Sequence, residues 1–417
     1  VKTPFYRVVS SIALEGESFE GEWRAVEGSR YFQSPVLYKE NGFKKKEDAQ
    51  KLICELSTQQ PLICTVEKIE RKKENKNPPL LFNLAELQNV CSKLFKISPD
   101  ETLSIVQDLY EKKLVTYPRT DARVLSTAVA KEIYKNISGL RNYPQAGEAA
   151  QGALELGAYK NIAKTRYTND KQITDHYAII PTGQGLGALK GLSLTAQRVY
   201  ETIVRRFLSI FYPPAVYQKV SLVTKMENES FFSSFKVLLS EGYLKIAANS
   251  FAKKSMAEAS GKTPESEGEG EVSCDEALLA ALQKLKKGDI LNINGLGIKE
   301  GETSPPKRYN SGSMILAMEN AGQLIEDEDL RSQIKGSGIG TSATRAEILK
   351  KLFNIRYLSL NKKTQVITPT LQGEMIYDVV NCSIRQLLNP ELTASWEKGL
   401  TYVAEGSITE QEYMDKL

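Results

Sequence analysis

Two stretches of strand-like alternation, separated by a long stretch with helical periodicity, constrain the fold of this chain most. Apolar and polar residues alternate over roughly the first 80 residues and again from Val216 to about Ile246. Between them, apolar residues recur at helical spacing, and the pattern after residue 307 is again helical. The 417 residues allow several domains. The pattern predicts an α+β, multidomain fold.

Capping residues mark where individual helices begin. Asn83 precedes Glu86 by three residues, and Ser98 is followed by Pro99, two arrangements typical of helix N-termini. They predict two short helices in succession, after which residues 114–117 are extended, as in a helix-turn-helix-like unit. Further helices are expected over 46–56 and 195–211, and further capped starts at Thr344 with Glu347 and at Ser407 with Glu410.

Two polar stretches are interpreted as loops. The charged run from Glu70 to Lys76, ending at Pro78-Pro79, is typical of a solvated linker. Residues 261–271 are rich in Gly, Glu and Ser, and a flexible loop is expected over 250–272. Gly261-Lys262-Thr263 imitates the end of an ATP-binding phosphate loop, but Met256 stands where that loop needs glycine. ATP binding is therefore not expected.

Composition excludes several classes of protein. The five cysteines have no CxxC spacing, which argues against a zinc ribbon and for a reducing compartment. No apolar run of about 18 residues and no signal peptide is present. The net charge of +4 permits nucleic-acid binding without requiring it. Because the chain begins at Val1 without an initiator Met, we expect a fragment of a longer protein.

The segment LVTYPRTDA, residues 114–122, carries the most chemical information. Pro118 favours an extended conformation at Tyr117, which places Tyr117 and Arg119 on one face. A phenol beside a guanidinium suits phosphodiester chemistry, because the guanidinium binds phosphate oxygens and stabilises charge in the transition state. The alternative is a buried tyrosine beside a surface arginine at a turn.

Two further segments contain candidate site residues. TDHYAIIPTG, residues 174–183, holds the only histidine, His176, which could move a proton near neutral pH or serve structure alone. In residues 336–349, glycines at 336, 338 and 340 precede a helix, so that backbone amides can approach a phosphate. The alternative there is a plain turn. The acidic run 326–329 is interpreted as a solvated loop, not a metal site.

Together these segments resemble the motifs of type IA DNA topoisomerases. Tyr-x-Arg-Thr-Asp, the AIIPT block, PPKRY at 305–309, the glycine loop, and residues 367–380 and 392–400 follow the family's order. The loop reads Gly-Thr-Ser-Ala-Thr-Arg, which is similar to the topoisomerase III branch, with Ser342 where proline is usual.

The resemblance implies roles for individual residues. Tyr117 would be the nucleophile, Arg119 the phosphate stabiliser and His176 an auxiliary donor. Residues that would bind DNA are Thr120, Asp175, Lys307, Arg308, Gly338, Gly340, Thr341, Thr344 and Arg345.

The resemblance also implies a toroidal core with a helical active-site domain that contains a winged-helix-like unit, a β-rich arch and a helical base. Residues 1–62 would start the base and the first arch segment, and 63–82 would form an arch strand and linker. Residues 83–213 would form the helical domain with Tyr117, 214–306 the returning arch strands, and 307–417 the helical base with the single-strand DNA-binding loop.

The family's Toprim domain, which carries a catalytic glutamate and binds Mg²⁺, has no counterpart in this sequence. We therefore expect Mg²⁺ in the complete enzyme, no metal bound by this chain, and no activity of the chain alone. The resemblance implies relaxation or decatenation of DNA, so the expected partners are single-stranded segments and supercoiled or catenated duplex, assisted by a helicase or single-strand-binding protein. We also expect a monomer in the cytoplasm, associated with the nucleoid. The alternatives are an inert DNA-binding gate scaffold and, remotely, a tyrosine recombinase.

Overall fold

The computed structural model describes residues 2–58, 60–251, 271–272, 276–324 and 338–416. The chain forms two compact units. The first, here called the sheet unit, comprises Val1–Pro78, Pro213–Lys245 and Ala252–Pro306. The second, the helical unit, comprises Pro79–Tyr212, Ile246–Phe251 and Lys307–Leu417. Most of the expected loop 250–272, the 261–263 tripeptide, the acidic run 326–329 and Gly336 lie outside the described residues.

Antiparallel strands dominate the sheet unit. They are joined in the order β2-β7-β6-β5-β9-β1, and β1 also pairs with β2, so that the hydrogen bonding forms a closed circuit. The strands are β1 Pro4–Leu14, β2 Glu17–Arg24, β3 Leu37–Lys39, β4 Gly42–Phe43, β5 Ile63–Lys76, β6 Ala215–Met226, β7 Glu229–Ser240, β8 Glu271–Val272 and β9 Ile290–Glu302. The helices are α1 Lys46–Leu56 and α9 Glu276–Lys284, and a short helix, α8 Leu244–Ala247, begins in this unit and ends in the helical unit.

The prediction that the charged run is a solvated linker is wrong. Glu70 to Lys76 belongs to β5, and residues 68–76 pair with β6 along their whole length. The strand buries few side chains there, because its charged residues face outward while its backbone groups are satisfied by a neighbour. Arg71 is exposed, and its guanidinium donates to the carbonyl oxygens of Leu282 and Leu285.

The core of the sheet unit contains a buried carboxylate, that of Glu229. Trp23 is fully buried, stacks on Phe43 with ring centroids 4.9 Å apart, and donates from Nε1 to Glu229 at 2.6 Å. The Ser29 hydroxyl and the Arg30 backbone N–H also donate to this carboxylate, at 2.7 and 3.0 Å. Neutral donors from strand β2 and from the loop that follows it therefore satisfy Glu229.

The helical unit packs its helices around an extended apolar core that includes Leu84, Leu109, Ile180 and Phe207. Its helices are α2 Leu84–Phe95, α3 Pro99–Glu111, α4 Thr127–Glu132, α5 Tyr134–Gly139, α6 Gly147–Leu156, α7 Leu194–Ser209, α10 Ser311–Glu319, α11 Arg345–Asn354, α12 Leu371–Ser383, α13 Pro390–Ala404 and α14 Glu410–Lys416. Two short strands, β10 Leu358–Leu360 and β11 Ile367–Pro369, pair antiparallel.

Most predicted helix starts are confirmed. The side chains of Asn83 and Ser98 accept from the backbone N–H groups of Glu86 and Glu101, respectively. α1 and α7 lie where helices were expected. Across the residues that the structure describes, none of the helices is long and apolar enough to cross a membrane.

Two predicted caps are wrong. Thr344 precedes α11, but its side chain caps no backbone N–H of that helix. The pair at the start of α14 is Thr409 with Glu412, because each side chain accepts from the other residue's backbone N–H; it is not Ser407 with Glu410.

Candidate active site

The segment that carries Tyr117 lies in the helical unit. Residues 114–121 are here called the nucleophile segment, and its first residues, 114–116, pair antiparallel with residues 180–182. The Thr116 backbone N–H donates to Ile180 O at 3.0 Å, and the Thr182 N–H donates to Leu114 O at 3.0 Å. The Thr116 hydroxyl donates to Ala178 O and accepts from the Ile180 N–H. This pairing places the two predicted motifs side by side.

Tyr117 lies between two aromatic rings. The His176 ring is 4.4 Å from its centroid, tilted by 45°, and the Tyr110 ring is 5.5 Å away in an edge-on arrangement. Tyr117 is half-buried, whereas His176 and Arg119 are exposed. The phenol and the imidazole are thus brought together, next to an exposed guanidinium.

Thr120 positions His176. Its hydroxyl donates to the His176 backbone carbonyl at 2.8 Å and accepts from the Ala122 N–H at 3.1 Å. The Thr120 side chain is buried, so the DNA contact expected of it remains a prediction. Asp175, next to His176, is exposed.

The glycine loop has the left-handed backbone that its glycines allow. Gly338 and Gly340 have φ values of +57° and +67°. At Gly338 a Cβ would lie 2.5 Å from Met318 O and 2.6 Å from Glu319 O, so any side chain would strike the end of α10. The Thr341 N–H donates to the Thr344 hydroxyl at 2.9 Å, which folds the loop back before α11. The side chains of Thr341 and Thr344 are exposed.

Arg345 is not presented to solvent as the sequence suggested. Its side chain is 2% exposed, its Nη1 donates to the Asp121 carboxylate at 2.9 Å and its Nε donates to Ile339 O at 3.2 Å. Direct phosphate contact by Arg345 therefore remains an untested prediction, and this conformation does not favour it. Lys307 and Arg308 are exposed on the approach to α10.

A polar cluster lies behind the nucleophile segment. The Asn83 side-chain amide donates to Asp121 O at 3.1 Å and to the Glu319 carboxylate at 2.7 Å. Burial raises the pKa of Glu319, while the positive charge of Arg345 opposes this rise and the negative charge of Asp121 adds to it.

Sequence analysis missed Tyr110, Asp121, Asn83 and Glu319 as members of the site. Asp121 belongs to the Tyr-x-Arg-Thr-Asp motif, and this was the one available signal for it. A cavity of about 580 Å³ in the same unit, lined by residues that include Tyr143, Arg198 and Glu201, shares none of its lining with this site.

The described residues do not fit a magnesium site. Among them, no three Asp, Glu, His or Cys side chains converge on one point. Hard divalent cations need several such oxygen ligands. No step of the chemistry is therefore assigned to a metal on these residues.

Comparison with known proteins agrees with the motifs. A family model described as DNA topoisomerase matches residues 1–415. DNA topoisomerase 3 from Bacillus licheniformis is 34% identical over 343 residues, covering 81% of this chain and 43% of that protein. DNA topoisomerase 3 from Bacillus subtilis is 31% identical over 417 residues, covering 98% and 53%. The chain thus spans about half the length of these curated relatives.

A solved structure shares the fold. Full-length topoisomerase I from Thermotoga maritima superposes with a TM-score of 0.62 at 21% sequence identity, covering 100% of this chain and 57% of that one. Its likeness, with the mixed helical and sheet units, confirms the expected α+β fold class of a type IA core. The chain belongs to the type IA DNA topoisomerase family and is similar to topoisomerase 3.

Proposed function

We propose that the protein containing this chain cleaves one DNA strand through Tyr117, passes a strand through the break and reseals it, thereby relaxing or decatenating DNA. The observation that carries this proposal is the contact between the Tyr117 and His176 rings beside exposed Arg119. Because the chain spans about half of its relatives' length, the activity is proposed for the whole protein.

The proposed step is a transesterification. The Tyr117 phenolic oxygen attacks a backbone phosphorus, the bond from phosphorus to the 3′ oxygen breaks, and the 5′ phosphate stays on Tyr117. The phenol loses its proton and the departing 3′ oxygen gains one. Arg119 stabilises the charge on the phosphate oxygens, and His176 donates to one of them. Since one phosphodiester replaces another, resealing reverses the step without nucleotide hydrolysis.

Replacing the nucleophile tests the proposal most directly. Tyr117→Phe in the whole protein should abolish the covalent protein–DNA adduct, because the attacking oxygen is gone. The adduct is measured by denaturing gel with end-labelled single-stranded DNA. Tyr134→Phe, an exposed tyrosine on α5, is the matched control and should retain the adduct. An adduct that persists in Tyr117→Phe would overturn the assignment.

A second function, an inert DNA-binding scaffold, is proposed for the 417 residues alone. It is supported by the lack of converging metal ligands among the described residues. The Mg²⁺ requirement would then belong to the whole protein, whose activity should be lost when a chelator removes Mg²⁺. Relaxation of supercoiled plasmid by the 417 residues would refute the scaffold proposal. The remote recombinase alternative finds no support in the family match.

DNA is the proposed substrate and partner, as single-stranded segments in supercoiled or catenated duplexes. A helicase or single-strand-binding protein as assistant, a monomeric state and a location on the nucleoid are further parts of this proposal. Binding should be sensitive to salt and read little sequence, since it would rest on phosphate contacts and stacking.

A further inference from the structure

A buried guanidinium joins two segments that are distant in sequence. Arg345 is the first residue of α11, directly after the glycine loop, and Asp121 ends the nucleophile segment. Arg345 Nη1 lies 2.9 Å from Asp121 Oδ1, and Arg345 Nε lies 3.2 Å from Ile339 O in the loop. One side chain therefore holds the loop and the segment at the same time.

Asp121 is well placed to transmit this restraint. Its own carbonyl accepts from the Asn83 amide, and the carbonyl of its neighbour Thr120 accepts from the Leu84 N–H at 3.1 Å. The Thr120 hydroxyl also binds the His176 carbonyl. A shift of Asp121 would therefore move both the backbone that carries Tyr117 and the support of His176.

Burial makes the Arg345 side chain costly to withdraw. A guanidinium that is 2% exposed must keep its acceptors, because an unpaired buried charge is strongly unfavourable. To contact a phosphate directly, Arg345 would have to leave both Asp121 and Ile339. The same guanidinium also offsets the negative charge of half-buried Glu319.

We propose that Arg345 is a positioning residue: through Asp121 it fixes Tyr117 relative to the glycine loop, so that DNA held by the loop is in register for cleavage. The proposal rests on the function proposed above. It replaces the phosphate contact that the sequence suggested for Arg345. The glycine loop then has two tasks, to bind the strand and to set the place at which the strand is cut.

The chain supplies a matched control on the same helix. Lys350 of α11 pairs with Asp100 of α3 at 2.9 Å, but the two side chains are 57% and 46% exposed. An exposed pair of this kind contributes little. Lys350→Gln should therefore leave cleavage unchanged, whereas Arg345→Gln and Asp121→Asn should not.

The test separates binding from cleavage in the whole protein. We expect Arg345→Gln and Asp121→Asn each to slow adduct formation at saturating single-stranded DNA by about tenfold or more, because the reacting groups are misplaced. The Kd for an oligonucleotide and its salt dependence should stay at the wild-type values. The double variant should be no slower than the slower single variant, since both act through one contact. Arg345→Lys, whose ammonium group can keep a hydrogen bond to either Asp121 or Ile339, should recover part of the rate.

A different pattern would overturn the proposal. If Arg345 binds phosphate, Arg345→Gln will weaken binding and reduce the salt slope by about one, and Asp121→Asn will not. Hydrogen exchange of residues 118–124 supplies a readout that needs no activity: it should rise in Arg345→Gln and not in Lys350→Gln. Equal exchange in both variants would overturn the proposal. A wild-type protein that forms no adduct would refute the proposed function, and the exchange measurement would still decide the role of Arg345.

Discussion

Two carboxylates, buried Glu229 of the sheet unit and half-buried Glu319 of the helical unit, have different surroundings. In the sheet unit, Glu229 accepts from the Trp23 indole, the Ser29 hydroxyl and the Arg30 backbone N–H, all of which are neutral donors. In the helical unit, Glu319 accepts from Asn83 alone among its described partners and shares its surroundings with charged Asp121 and Arg345. Burial raises its pKa.

The difference separates scaffold from site. A carboxylate satisfied by neutral donors fixes loops to strands and can do little else. The Glu319 cluster retains unfavourable electrostatics next to the nucleophile segment, and proteins keep such arrangements mainly where function requires them. Substitution at Glu229 in the sheet unit should therefore act mainly by lowering the free energy of unfolding. Substitution around Glu319 in the helical unit should act mainly by reducing DNA cleavage.

The largest expected effect on stability lies in the sheet unit. Glu229→Ala should lower the free energy of unfolding by about 3 kcal/mol or more, since each buried donor left unsatisfied costs about 1–3 kcal/mol. Urea unfolding followed by circular dichroism measures the change. Glu20→Ala, which removes an exposed partner of Lys299, should cost less than about 1 kcal/mol. Equal losses in the two variants would contradict the role given to Glu229.

A smaller effect is expected at the glycine loop. Gly338→Ala places a Cβ within 2.6 Å of two backbone oxygens at positive φ, so we expect a loss of about 1–3 kcal/mol and weaker single-strand binding. Gly406, at φ +73° with open space around it, controls for backbone strain alone. Stability and oligonucleotide binding are measured on both. If Gly406→Ala weakens binding as much as Gly338→Ala, the loop is not the binding element.

The smallest effect is a pH dependence from Glu319. Because its pKa is raised in the folded protein, the folded state binds the proton more tightly than the unfolded state does. Stability should therefore fall as the pH rises from the ordinary value of 4.5 through the raised value. Glu319→Gln should lose this slope in urea unfolding across the same window.

Glu412 provides a control of opposite sign. Hydrogen bonds from the Thr409 backbone and side chain lower its pKa, so its stabilising contribution is present above 4.5 and lost as the pH falls. Glu412→Gln should remove that contribution. For Glu319, the contrary result would be a Glu319→Gln variant whose free energy of unfolding changes with pH as steeply as that of the wild type. Another group would then be the one that titrates.

Local chemistry made part of this structure predictable. Asn83 and Ser98 cap helices because their side chains satisfy nearby N–H groups, so a few adjacent residues suffice. The nearness of His176 to Tyr117 came from the resemblance to a family. Periodicity alone could not have shown it, because the pairing joins residues about 60 apart through a strand register that depends on the whole helical unit.

The missed features have a common cause. Arg345 and Asp121 are 224 residues apart, and an exposed, DNA-facing arginine is indistinguishable in sequence from a buried one. The charged run 70–76 was misassigned because a run of Glu, Lys and Arg is typical of a loop when the neighbouring strand is unknown. In both cases the deciding partner lies far along the chain.

The burial of Trp23 has an optical consequence. The chain has two tryptophans. Trp23 of the sheet unit is fully buried, whereas Trp396, in α13 of the helical unit, is partly exposed to solvent. Indole emission shifts to longer wavelength in polar surroundings. The blue edge of the fluorescence spectrum therefore reports the sheet unit and the red edge the helical unit, so one titration can show which of them melts first.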